Sequence, residues 1–96
     1  YDLLLERLAN LRQRGMILAV DDAGAGYSSL RHIVKLDPDI VKLDMSLTRN
    51  VDSDMSRRAM VAALVRYAQE TDCTIIAEGV ETEAECATLQ DIGIDI

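Results

Sequence analysis

Two neighbouring aspartates, Asp21 and Asp22, stand directly behind the apolar run "MILAV". Lys42 and Asp44 close a second run, "DIVKLD", and Glu78, with Glu81 just beyond it, closes a third, "CTIIAEGVE". Carboxylate oxygens grouped in this way suit hard divalent cations such as Mg²⁺ or Mn²⁺. Two such ions would activate a water and stabilise a phosphorane-like transition state. A lysine among them would hold a phosphate oxygen or orient the attacking water. The plainer alternative is that these charges merely solvate the ends of strands. Agreement among three separate runs favours a shared site, although Asp44 by itself is equally well explained as a partner of Lys42 or a turn cap.

Between the first two runs lies "AGAGYSSL". Gly24, Ala25 and Gly26 permit a tight turn that approaches other groups closely. Tyr27, Ser28 and Ser29 are candidates for a loop that meets substrate or metal, with packing for Tyr27 and a helix cap for Ser28 as the bland readings. His32 has no partner at ligand spacing and reads as structural. Glu83 and Glu85 fall in a first helical turn, where acids complement the macrodipole without any further role.

Apolar spacing supplies the elements that must carry these residues. Leu4, Leu5, Leu8 and Leu11 predict a helix over residues 2–13, capped by Asp2 and ended by Gly15. Residues 16–20 read as a strand buried on both faces, followed by a loop from Asp21 onward. A short helix carrying Leu30, Ile33 and Val34 stops at Pro38. Residues 39–44 read as a second strand, and "MSLTRNVDSD" as a loop. The longest helix spans residues 54–70, with Met60, Val61, Leu64, Val65 and Ala68 inward. Residues 73–77 form a third strand, and Thr82 with Glu85 makes a capping box for a helix to Gln90. Gly93 closes that helix, and "IDI" reads as the start of a fourth strand. Strands alternating with helices imply a parallel sheet with right-handed crossovers, in either a doubly wound sheet or half of a (β/α)₈ barrel. In both, the carboxyl ends of the strands share one rim, where ligands bind.

The chain of 96 residues has room for one small core, and its 49% hydrophobic residues include three tyrosines but no phenylalanine or tryptophan. That core must be aliphatic. A formal charge of −7 argues against binding DNA, RNA or anionic lipid, while leaving room for one small phosphate ligand held through metals. Cys73 and Cys86 read as free thiols of a reducing cytosol. No run approaches the roughly 20 apolar residues of a membrane span, and no signal-peptide pattern is present. No repeat or linker divides the chain, so residues 1–96 read as one partial domain, cut at both ends.

Three segments, "DDAGAGYSSL", "LDPDIVKLDMSL" and "IIAEGVET", resemble in order and separation the motifs of the EAL family of cyclic di-GMP phosphodiesterases. The family shows D-D-F-G-T/A-G-Y-S-S-L, then L-P-D-x-x-K-I-D, then A-E-G-V-E-T. The resemblance implies an α/β fold, a (β/α)₈ TIM-type barrel of about 250 residues, with this chain as its carboxyl-terminal half. It implies Asp21 and Asp22 as metal ligands, Lys42 at the catalytic centre near the attacking water with Asp44 as its companion, and Glu78 as an essential acid at the metal centre. Glu81 would support the loop, and Gly24, Gly26, Tyr27 and Ser28 the substrate side.

The same resemblance implies two Mg²⁺ or Mn²⁺ ions, cyclic di-GMP as substrate, a cytoplasmic location and a homodimer of the complete domain. Departures from the pattern are the absence of the Glu-Ala-Leu segment, of the family's asparagine and glutamate from the next strands, and of its late glutamine, together with Ala23 where phenylalanine is usual. Two functions are therefore expected to compete: hydrolysis of cyclic di-GMP to linear pGpG, or a catalytically degenerate domain that binds the nucleotide or another protein. The isolated 96 residues are expected to be inactive and prone to associate.

Overall fold

A computed structural model of the chain describes residues 2–23 and 33–95, with Asp22 and Ala23 placed by their backbone alone. In chain order the labelled elements are α1 (Asp2–Gln13), β1 (Ala19–Ala23), β2 (Ile40–Leu43), α2 (Met45–Thr48), α3 (Met55–Thr71), β3 (Thr74–Ala77) and α4 (Glu83–Ile92). Residues 33–36 are also helical, ahead of the buried Pro38. The three strands form one parallel sheet in the order β1-β2-β3.

Alternation along the strands divides the sheet into two unequal faces. Val41 and Leu43 of β2 are buried, and Val20, Ile75 and Ala77 pack beside them on the same side. Helix α3 covers this side with Val61, Leu64, Val65 and Ala68, whose spacing of three and four puts them on one stripe. Leu89 of α4 and Val51 complete the core. Leu43 is 0% exposed, so Leu43→Ala would cost about 2–5 kcal/mol. The opposite face carries Lys42 in register with Ile76, which is 40% exposed.

Helix caps follow the sequence closely. Asp54 accepts hydrogen bonds from the amides of Ser56 and Arg57 at the start of α3. Thr82 and Glu85 form the reciprocal capping box of α4, and Gly93 closes that helix in the left-handed region at φ 119°.

Several expectations need correction. The first strand starts at Ala19 and runs on through both aspartates, because pairing begins at Ala19 opposite Ile40 and continues to Ala23 opposite Leu43. Met16 and Ile17 precede it and are exposed. "MSLT" is a short helix, α2, because Asp44 accepts from the Ser46 amide and caps it. Met60 points away from the core and is 41% exposed. Helix α1 forms as its spacing predicts, but none of its residues is buried. Ile94 and Asp95 lie outside any strand, and Ile96 lies outside the described residues.

Candidate active site

The two aspartates owe their placement to an irregularity in β1. Val20 is level with Val41, but Ala23, three residues on, is level with Leu43, two residues on. One extra residue has been taken up, which is a β-bulge, and Asp21 and Asp22 together occupy the stretch opposite Lys42. In a regular strand, adjacent side chains point to opposite faces. A bulge breaks that rule locally, and so a chain can bring two consecutive carboxylates to one rim. Asp21 is exposed.

Lys42 projects from the open face of β2. Its Nζ lies 3.9 Å from Glu78 Oε1, and the two side chains are 40% and 41% exposed. Glu78 is fixed in its backbone rather than its side chain. Its amide extends the sheet by donating to the Leu43 carbonyl at 3.3 Å. Its carbonyl accepts from the Thr48 hydroxyl at 2.7 Å, and Thr48 is wholly buried. Gly79 then turns the chain at φ 70°, and a Cβ there would run into the Met45 side chain. The turn therefore needs glycine twice over, for its backbone angle and for the space.

Asp44 serves as the cap of α2. The Ser46 side chain and amide, in that order, hold its carboxyl below the usual carboxylate range. Glu81 pairs with Arg49 at 2.8 Å on the surface. Gly24, Gly26, Tyr27 and Ser28 lie outside the described residues, as do Ser29 and His32.

The residue that sequence reasoning undervalued is Glu85. It is 3% exposed, and its carboxylate accepts from three backbone amides: Asn50 at 2.7 Å, Glu81 at 2.9 Å and Thr82 at 3.2 Å. The Asn50 amide above all, then that of Glu81, lowers its pKa, and burial opposes them. The capping box was the available signal. The bond to Asn50 spans 35 residues and leaves no local trace in the sequence.

A family model described as EAL domain matches residues 2–96. The chain belongs to the EAL domain family. Over 94 residues it is 35% identical to the cyclic di-GMP phosphodiesterase PdeR of Escherichia coli, covering 98% of this chain and 14% of that protein. It is 36% identical over 88 residues to the cyclic di-GMP phosphodiesterase NbdA of Pseudomonas aeruginosa, covering 92% and 11%. Among solved structures, it matches the manganese and cyclic di-GMP complex of Klebsiella pneumoniae BlrP1 with a TM-score of 0.88 and 42% identity, over 97% of this chain and 24% of that one. The chain thus spans only a small part of the relatives it resembles. These likenesses resolve the two topologies left open by the sequence: this EAL chain is a sector of a TIM-type barrel. Its open face, with Lys42 and Ile76, is then the face that a barrel turns inward.

A divalent metal centre fits the donor chemistry of this rim, but only in part. Acidic residues lie along β1 and at the end of β3, and carboxylate oxygens are the donors that such a centre would use. Among the described residues, no group of three or more His, Cys, Asp or Glu stands close enough to hold an ion without help. Nor is any helix among them long and apolar enough to cross a membrane.

Proposed function

We propose that this chain is the carboxyl-terminal half of an EAL phosphodiesterase barrel that hydrolyses cyclic di-GMP to linear pGpG with two Mg²⁺ or Mn²⁺ ions. The observation that carries the proposal is the meeting of Lys42 and Glu78 across β2 and β3, with the Asp21–Asp22 bulge on the other side of Lys42. Family likeness supports it: the relatives named above are called cyclic di-GMP phosphodiesterases, and BlrP1 was solved with manganese and the nucleotide.

In this reading Asp21 and Asp22 hold metal, together with ligands from the rest of the barrel. Bound metal supplies a nucleophilic water and charge neutralisation at the phosphate. Lys42 holds or orients a phosphate oxygen or the incoming water. Glu78, within reach of Lys42, keeps the ammonium turned toward the rim and offers a carboxylate at the metal centre. Water adds across one phosphodiester, one ring P–O bond breaks, and the product is the linear dinucleotide.

The test is to purify the complete domain and follow pGpG formation from cyclic di-GMP with Mg²⁺ or Mn²⁺. Linear product is expected. Nucleotide that binds without being cleaved would overturn the enzyme and leave a nucleotide receptor, the role that Ala23 in place of the family's phenylalanine would accompany. We further propose that the complete domain is a cytoplasmic homodimer, and sedimentation of that domain would check the dimer.

A further inference from the structure

We propose that Glu85 is a positioning residue for Glu78: its buried carboxylate latches the loop after β3 to the turn after α2 and so fixes where Glu78 stands relative to Lys42. This rests on the phosphodiesterase reading above.

The geometry is a bridge. Oε1 takes the amides of Glu81 and Thr82, at 2.9 and 3.2 Å, and Oε2 takes the amide of Asn50 at 2.7 Å. The two oxygens therefore serve two different loops. Asn50 turns the chain in the left-handed region at φ 59°, a conformation that asparagine tolerates well. Three residues upstream of Glu81, the Glu78 carbonyl takes the Thr48 hydroxyl, so the same pair of loops is joined at both ends. Between these joints the loop contains Gly79, whose turn gives it no stiffness of its own. Without the latch the Glu81 end of the segment would be held only by the exposed Arg49–Glu81 pair. The half-exposed Glu78 carboxylate, 3.9 Å from Lys42, would then lose its set position.

A latch that bridges two loops is released when either arm is lost. Glu85→Gln keeps an oxygen for Glu81 and Thr82 but turns a donor toward the Asn50 amide. Glu85→Asp keeps the charge but is one methylene, about 1.5 Å, too short to serve both loops. In the complete domain with Mn²⁺, Glu85→Gln and Glu85→Asp are each expected to lose about tenfold or more in kcat with KM for cyclic di-GMP little changed. Amide exchange, read without substrate, is expected to quicken at Asn50 in both variants and at Glu81 in the Asp variant alone.

A kcat within about threefold of wild type in either variant, or unchanged exchange at Asn50 in both, overturns the latch. A wild-type domain that does not cleave the nucleotide removes the phosphodiesterase reading instead. The latch is then decided by Mn²⁺ titration, where the Asp variant must bind about tenfold more weakly than wild type and equal affinities overturn it.

Discussion

At the amino-terminal rim of the sheet, Asp39 is engaged through one carboxylate oxygen, Oδ2. It takes the Leu18 amide at 2.8 Å and the Arg12 guanidinium at 3.0 Å, and Arg12 also reaches the Asp37 carbonyl at 2.6 Å. At the carboxyl-terminal rim, Lys42 and Glu78 stand 3.9 Å apart, two-fifths exposed, in a loose pair. One rim satisfies its charges within the protein, joining the entry to β1 with the entry to β2. The other holds charge that the fold does not use up. In barrels of this kind, residues at the amino-terminal face serve stability and those at the carboxyl-terminal face serve chemistry. Under the proposed function, Asp39 and Glu78 would stand on the two sides of that division.

Exchanging the charges at each rim separates the two roles most sharply. In the complete domain, Lys42→Ala or Glu78→Gln is expected to lower turnover at least about a hundredfold while moving the thermal midpoint by less than about 2 °C, since an exposed ion pair contributes little to folding. Asp39→Ala should do the reverse. Its midpoint should fall by about 3 °C with turnover at 25 °C unchanged, because an amide and a guanidinium lose their acceptor far from the reacting atoms. Parallel melting curves and rate measurements check both. A turnover loss in Asp39→Ala matching that of Glu78→Gln would erase the distinction.

Acid provides the next, smaller test. The Leu18 amide, then Arg12, hold the Asp39 carboxyl below its ordinary value, and the amides of Asn50 and Glu81 do the same for Glu85. A depressed carboxylate contributes stability that is complete above its unfolded pKa, about 4, and is lost as pH falls through the lower folded value. The thermal midpoint should therefore be flat from about pH 5 upward and fall below about pH 4. Glu85→Gln or Asp39→Asn should each flatten that acid limb. An acid limb as steep in both variants as in wild type would remove these two groups as its cause.

How much of this arrangement is legible in the sequence follows from the range of the interactions. Charges at the ends of apolar runs are local, and so Lys42 and Glu78 can be assigned to one rim from the order of residues alone. The capping box at Thr82 and the stripe on α3 are local too. The bulge is not, because the extra residue in β1 exists only relative to β2, and the run "MILAV" hides it by being apolar from Met16 to Leu18, ahead of the strand. Asp39 reads as an ordinary strand start, since its partners Arg12 and Leu18 come from 27 and 21 residues away. Asp44 is the converse. Its capping role needs only the amide two residues on, so the sequence carries it, and the folded chain puts that role to use.

The smallest effect sharpens the contrast between a buried and an exposed link across the same two loops. Arg49 and Glu81 pair at 2.8 Å with side chains 48% and 60% exposed, a few residues from the buried Glu85 that joins Asn50 to the Glu81 amide. Both links are short, and geometry alone does not rank them. Solvent does: water and salt compete at an exposed pair and are shut out of a buried one. Arg49→Ala should therefore shift the thermal midpoint by no more than about 1 °C, and that small shift should vanish in 1 M salt, while the loss in Glu85→Gln persists there. Melting curves of both variants at low and high salt decide it. A Glu85→Gln loss that salt also abolishes would mean that its carboxylate acts as a surface charge, and the latch between the loops would have to be sought in Thr48 alone.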